Sequence, residues 1–228
     1  MWALGWAKSI ALAVAIWYPL QALVVKSFRI NSGSMEPTLL VNDFLIVNRA
    51  VFGARVPLIG VRTPTLREPR RDELIVLKGI EEPVLTIVKR VIGTAGDTLA
   101  MRNDSLFRNG VFVPAPARYR RDPMASMDSL QRVAIARWQR PLLVPNAVTE
   151  PYLPDLHDWG PFVIPAAHLF VMGDNRDASY DGRHWGVLPG ENVIGRPFAI
   201  YFSFDPTSWR PLPFITAIRW NRLFRSPW

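Results

Sequence analysis

The sequence predicts a mainly β protein preceded by one apolar N-terminal helix. Three observations carry that prediction. Short runs of branched and aromatic residues, bounded by Asp, Gly or Pro, recur beyond residue 29. An Asn-Gly pair sits between two apolar runs at 106–113. A seventeen-residue stretch without charge, Ser9–Val25, lies near the start of the chain. The chain has 228 residues, 49% hydrophobic and 20% charged, which suffices for one large or two small domains with an ample core and excludes general disorder. With no cysteine there is no disulfide framework and no thiolate zinc site, and His157, His168 and His184 lack compact ligand spacing. No structural metal and no cofactor is expected.

The uncharged run SIALAVAIWYPLQALVV follows the mostly apolar MWALGWA and Lys8. At ~1.5 Å per residue it spans about 25 Å, short of a ~30 Å hydrocarbon core, so its flank has to contribute. Trp2, Trp6, Trp17 and Tyr18 suit interfacial positions and Lys8 can snorkel, which favours a transmembrane helix over roughly residues 3–26, kinked at Pro19, within an anchor assigned to 1–28. A cleaved secretory signal is disfavoured, because the stretch is long and Ala11, Ala13 and Ala15 come too early for a cleavage site. A buried core helix is the third reading. Lys8 on one side and Lys26 and Arg29 on the other leave the orientation open.

Phe44–Val47, Leu74–Leu77, Thr86–Val88 and Phe198–Phe202 are predicted strands, and Leu106–Val113 a hairpin turning at Asn109-Gly110. The Pro- and Arg-rich stretch Pro114–Pro165, with one helical pattern near Ser126–Trp138, reads as an insertion. In the tail, Pro206–Trp228, Arg219, Arg222 and Arg225 oppose Trp220, Leu223 and Phe224 on a helical projection, a short basic amphipathic pattern. A tail packed against the body is the alternative.

The net charge of +8 is concentrated at the ends. All 19 acidic residues fall between Glu36 and Asp205, whereas Lys8, Lys26 and Arg29 lie before this stretch and Arg210, Arg219, Arg222 and Arg225 after it. A nearly neutral middle argues against nucleic-acid binding, which needs a concentrated basic face. Six of the nine tryptophans also lie in residues 1–31 and 206–228, the pairing expected at a membrane surface.

Three segments can carry chemistry. In Asn31-Ser32-Gly33-Ser34-Met35-Glu36-Pro37, two serines flank a glycine before a Pro-restricted turn. Such a bend can expose a hydroxyl beside converging backbone N–H groups, as an acyl-transfer nucleophile requires, although Ser-Gly-Ser is also common linker chemistry. A serine nucleophile needs a base. Only four of the 27 basic residues are lysines, and Lys89 follows the strand-like Leu85–Val88, where burial can lower its pKa; a histidine partner is not excluded and an outward-facing lysine is the bland alternative. The third segment, Gly173–Gly186, is dense in polar groups between apolar runs; it lacks the EF-hand spacing, and a structural turn is its bland alternative.

Together these residues resemble the bacterial type I signal peptidases, membrane-anchored serine proteases with a Ser–Lys dyad. The match is carried by Ser-Gly-Ser-Met-Glu-Pro-Thr-Leu at 32–39, Lys-Arg-Val-Ile-Gly at 89–93 with Gly96-Asp97, and Gly-Asp-Asn-Arg-Asp-Ala-Ser-Tyr-Asp-Gly-Arg-His-Trp-Gly at 173–186. The resemblance implies Ser34 as nucleophile, neutral Lys89 as general base, and the Ser32 hydroxyl with the Ser34 N–H as oxyanion hole. It implies that Ser179 orients the Lys89 amine and that Asp181 and Arg183 hold their loop. This sequence departs from the family at Asn31, Arg71, Ala95 and Gly182, where the family often has Pro, Gly, Pro and Ser; none removes a catalytic group. The implied fold is mainly antiparallel β, with a catalytic core from 29–98 and 166–205, a smaller inserted subdomain at 99–165 and a tail at 206–228. Phe44–Val47 and Phe198–Phe202 are candidates for an apolar strand surface facing the membrane.

The implied activity is removal of signal peptides from preproteins, with cleavage after small residues. The implied setting is the bacterial inner (plasma) membrane, single-pass, with the catalytic domain on the extracytoplasmic side. Implied partners are preproteins, membrane lipid and the secretion translocon, and no nucleic acid. A Ser–Lys peptidase specialised for a single substrate such as a conjugation pilin, and an inactive membrane-tethered binding module, are the alternatives.

Overall fold

The computed structural model describes residues 2–23, 25–53, 61, 63–82, 84–115, 128–148 and 151–227. In chain order its elements are α1 (Trp2–Leu23), β1 (Val25–Arg29), β2 (Asp43–Asn48), β3 (Leu74–Lys78), β4 (Thr86–Thr94), β5 (Thr98–Arg102), β6 (Ser105–Arg108) and β7 (Val111–Val113). There follow α2 (Ser129–Gln139), β8 (Trp159–Val163), β9 (His168–Met172), α3 (Gly182–Trp185), β10 (Leu188–Pro189), β11 (Val193–Ser203) and α4 (Pro213–Thr216). The fold is mainly antiparallel β, in two compact units.

The first unit comprises Met1–Arg29, Asp43–Glu68 and Ile194–Pro227. β2 pairs antiparallel with both β1 and β11, Leu45 lying opposite Phe28 on one side and Ile200 on the other. Burial alternates along β2 as a strand of period 2 requires, with Leu45 and Val47 fully buried. The alternate face carries the aromatic residues. Phe44 lies 5.5 Å from the Phe202 ring and 6.0 Å from Tyr201, so these rings half-bury one another and only Phe198 of the two runs is exposed.

α1 is continuous through Pro19 but stops at Leu23. Val25–Arg29 is strand, so residues 25–28 do not belong to the helix: their backbone groups pair with Asn48–Leu45 instead of with a preceding turn. Among the described residues, which cover the side chains of α1 only in part, no helix is long and apolar enough to cross a membrane.

The tail is not an amphipathic helix. α4 is a single turn, Trp220–Arg222 a single 3-10 turn, and the intervening backbone runs beside β11. The N–H of Arg219 donates to Ser203 O (2.9 Å), that of Phe224 to Ile200 O (2.6 Å) and that of Ile200 to Arg225 O (2.9 Å). Fully buried Asp43 fixes this docking by accepting from Ser203 Oγ (2.7 Å) and from two nitrogens of Arg222 (Nε 3.0 Å).

The second unit comprises Ile30–Asn42 and Pro69–Val193. It holds one antiparallel sheet in the order β3-β4-β9-β10 and another in the order β7-β6-β5-β8. β4 extends past the predicted Val88 to Thr94, where a turn capped by Asp97 leads into β5. Its core joins Ile92, Leu99, Trp159, Phe162, Phe170 and Met172. Trp138 of α2 meets Phe162 edge-on at 5.1 Å. The predicted hairpin turns at Asn109 (φ 56°) and Gly110 (φ 79°), the doubly positive pair of a type I′ turn, which is why Asn-Gly stands there. The helical pattern near 126–138 forms α2, started by a reciprocal Asp128–Gln131 cap; residues 126 and 127 lie outside the described residues.

Replacing Asp43 by Ala leaves the Arg222 guanidinium without its carboxylate, and we expect a loss of about 3 kcal/mol in denaturant unfolding. Amide exchange at Arg219 and Phe224 should accelerate together; unchanged exchange there would show that Asp43 does not hold the tail.

Candidate active site

Ser34 sits in a single 3-10 turn, Gly33–Met35. The turn is closed by Glu36 N–H to Gly33 O (3.0 Å) and Leu39 N–H to Met35 O (2.9 Å), while Asn42 N–H returns to Ile30 O (2.9 Å). Met35 and Leu39 are fully buried and pin the segment. Ser34 is left half-buried and Ser32 exposed, their hydroxyl oxygens 3.4 Å apart.

Lys89 lies on β4 opposite Ile75 of β3. It is 2% exposed, and its amine donates to Ser179 Oγ at 2.9 Å. Burial lowers its pKa from 10.5 to about 8; Arg183 adds to the shift, and Asp181 and Asp174 oppose it. Because alternate strand residues face opposite ways, Arg90 points away from Lys89 and grips Asp174 through two bonds (Nε–Oδ1 2.7 Å, Nη2–Oδ2 2.6 Å).

The polar segment after β9 joins these two parts. Asn175 donates from its backbone to Ser34 O and from its side chain to Gly33 O, both at 3.1 Å. Asp174 accepts from Thr38 Oγ1 at 2.6 Å as well as from Arg90. Gly173 lies so close that a Cβ there would stand 2.2 Å from Ser179 Oγ and 2.5 Å from Ser34 O, so no other residue fits without moving both serines. Asp181, 0% exposed, receives Arg183 Nε (2.9 Å), Arg183 Nη2 (3.0 Å), Arg183 N–H (3.2 Å) and Gly173 N–H (2.9 Å). Burial alone would raise its pKa, but Arg183, then Lys89 and the Gly173 N–H, bring it down to about 2.

Ser32, Ser34 and Lys89 line one cavity of about 370 Å³, with Ile80, Leu85, Ile87 and Trp185 as apolar wall. Thus the six residues singled out in the sequence meet in one unit: three on the cavity, and Ser179, Asp181 and Arg183 behind it. Among the described residues, no histidine lines this cavity. His157 pairs with Asp104, His168 Nδ1 donates to Ala166 O at 2.8 Å, and His184 Nδ1 accepts from Asp181 N–H in the cap of α3. Sequence reasoning missed Thr38, Arg90, Asp174 and Asn175. They lie inside or beside the polar segments it quoted, but a hydroxyl and a carboxylate 136 positions apart give no signal of pairing.

A protein-family model described as signal peptidase, peptidase S26, matches residues 3–202. The chain belongs to the signal peptidase S26 family. It is a peptidase, a hydrolase of peptide bonds. It is 32% identical over 205 residues to signal peptidase I of Pseudomonas aeruginosa, covering 85% of this chain and 70% of that one. Against signal peptidase I of Aquifex aeolicus it is 32% identical over 216 residues, covering 82% and 80%. A crystal structure of a signal peptidase I from Enterococcus faecalis aligns with 57% of this chain and 97% of its own, at 24% identity and a TM-score of 0.35, too low to bear on the fold.

A buried lysine weakens the fold of this S26 peptidase. Between pH 8 and 10.5 the unfolded chain holds more protons than the folded one, so stability rises with pH across that window and the cost, about 3 kcal/mol, is fully present below it. Lys89→Met should therefore raise the melting midpoint at pH 7 by about 5 °C and lose that advantage toward pH 10.5. A lowered midpoint in calorimetry at pH 7 would contradict this.

Proposed function

We propose that this peptidase removes signal peptides from preproteins by a Ser34–Lys89 mechanism. The observation that carries the proposal is the Lys89 amine, removed from water, hydrogen-bonded to Ser179 and lining the same cavity as Ser34. With a pKa of about 8, about a tenth of the amine is neutral at pH 7, against roughly one part in 3,000 for an exposed lysine. One N–H is committed to Ser179, which orients the lone pair.

In the proposed reaction, Ser34 Oγ attacks the scissile carbonyl as Lys89 takes its proton. The oxyanion is held by the Ser32 hydroxyl and the Ser34 N–H, and the Lys89 ammonium then returns the proton to the departing amine. Water, activated by the same amine, releases the acyl group from Ser34. The apolar wall of the cavity suits small uncharged side chains before the cut.

We further assign the first unit to the membrane, with α1 as a single-pass anchor in the bacterial plasma membrane and the peptidase site on its extracytoplasmic side. α1 has 22 residues, about 33 Å of helix, and exposes Trp6, Ile10, Leu12 and Trp17. Elsewhere in the same unit Trp209, Trp220 and Phe224 are 91%, 72% and 79% exposed beside Arg210, Arg219 and Arg225, the mixture that binds an anionic interface. Preproteins arriving from the secretion translocon are the substrates of this membrane-anchored peptidase.

Ser34→Ala and Lys89→Ala should each lower preprotein cleavage in detergent by at least ~10³-fold with folding retained. The wild-type rate should rise with pH around a midpoint near 8. Full activity in both variants would sink the mechanism. For the membrane assignment, removing residues 210–228 from a chain lacking α1 should weaken flotation with anionic liposomes; equal flotation would refute a lipid-binding tail.

A further inference from the structure

One wall of the cavity is the tip of the β3–β4 hairpin. Its backbone closes through Gly79 N–H to Leu85 O and Leu85 N–H to Glu82 O, both at 2.9 Å, but Val84 is 98% and Leu85 52% exposed, so burial does little to hold it. A side chain from the other polar segment reaches across instead. Tyr180, between lysine-orienting Ser179 and buried Asp181, donates its hydroxyl to both Glu81 oxygens, at 3.0 and 2.8 Å. Its ring lies on His184 with centroids 4.6 Å apart, which fixes where the hydroxyl points. Burial and the Glu81 carboxylate push the Tyr180 pKa up to about 12, so it stays a donor throughout the working range. Among the described residues no other side-chain hydrogen bond or ion pair joins the tip to residues 173–182.

We propose that Tyr180 is a substrate-positioning residue, latching the hairpin tip through Glu81 so that the tip forms a fixed wall against which the residues flanking the scissile bond pack. This rests on the preprotein-cleaving reading above. The latch touches neither Ser34 nor Lys89, so it acts on how the peptide is held, not on proton transfer.

The test compares Tyr180→Phe, which keeps the ring on His184 and removes the donor, with Glu81→Gln, which keeps an acceptor, and Glu81→Ala, which removes it. Tyr180→Phe and Glu81→Ala should each raise KM for a preprotein about tenfold, with kcat within about twofold and the pH midpoint of kcat unmoved. The double variant should be no worse than either, and Glu81→Gln should stay near wild type. Amide exchange at Gly79 and Leu85 should quicken in Tyr180→Phe, a readout that needs no substrate. Unchanged exchange overturns the latch whatever the enzyme cleaves. Additive losses, or Glu81→Gln as impaired as Glu81→Ala, overturn it in favour of recognition by charge. A folded wild type that cleaves no preprotein overturns the cleavage reading, and the substrate role with it.

Discussion

The larger unit is arranged around one amine taken out of water. A buried lysine stays chargeable only if something compensates the lost hydration, and the strongest compensator, a carboxylate, would also hold the proton on. Asp181 is near enough to act on Lys89, yet Arg183 and the Gly173 N–H supply four donors to its two oxygens. With the carboxylate so occupied, Lys89 donates its hydrogen bond to the neutral Ser179 hydroxyl. The Asp181–Arg183 pair thereby keeps the loop folded without returning the amine to an ordinary lysine pKa.

The same strand serves both faces. Lys89 and Arg90 are neighbours, so the pleat sends one into the cavity and the other to Asp174. Asp174 in turn holds Thr38, four residues beyond Ser34, and Asn175 holds the carbonyls of Gly33 and Ser34. The Ser34 turn is therefore positioned from behind by the Arg90–Asp174–Thr38 chain and by the Asn175 amide, while the cavity side keeps its apolar wall. Gly173 is the pivot: its missing side chain is what lets Ser179 and the Ser34 carbonyl approach one another.

Much of this was legible in the sequence, unevenly. Strands with local signals were found because branched residues between turn formers, and Asn-Gly at 109–110, act over a few residues. β1 was not, since Val25–Arg29 follows an apolar helix directly and becomes strand only by pairing with β2. Strand β8, with Pro161 inside it, and the short β10 are likewise defined by their partners. The tail was left between a basic amphipathic helix and a segment packed on the body, and the second holds, because a three-residue recurrence of arginine fits a helix as well as it fits an irregular segment docked by Asp43. In the candidate site, the scarcity of lysine and the Ser-Gly-Ser turn drew out Lys89 and Ser34. Thr38, Asp174, Asn175 and the Tyr180–Glu81 pair were invisible, because their partners are remote in sequence and nothing in a side chain's own neighbourhood announces such a partner.

A lysine whose pKa is set mainly by burial differs from a base tuned by a fixed partner. A histidine held by a carboxylate carries its activating charge with it, whereas Lys89 depends on how much water reaches its cavity. Under the proposed mechanism, a peptide that fills those roughly 370 Å³ excludes water from the cavity beside the amine, and the desolvation that already lowers its pKa then grows. Under the proposed mechanism, occupancy and proton affinity are thus coupled through one physical cause: a filled cavity favours the neutral amine that the Ser34 reaction requires. In the proposed mechanism the apolar wall at Ile80, Leu85, Ile87 and Trp185 accordingly has two roles, receiving side chains before the cut and excluding the solvent that would keep Lys89 protonated.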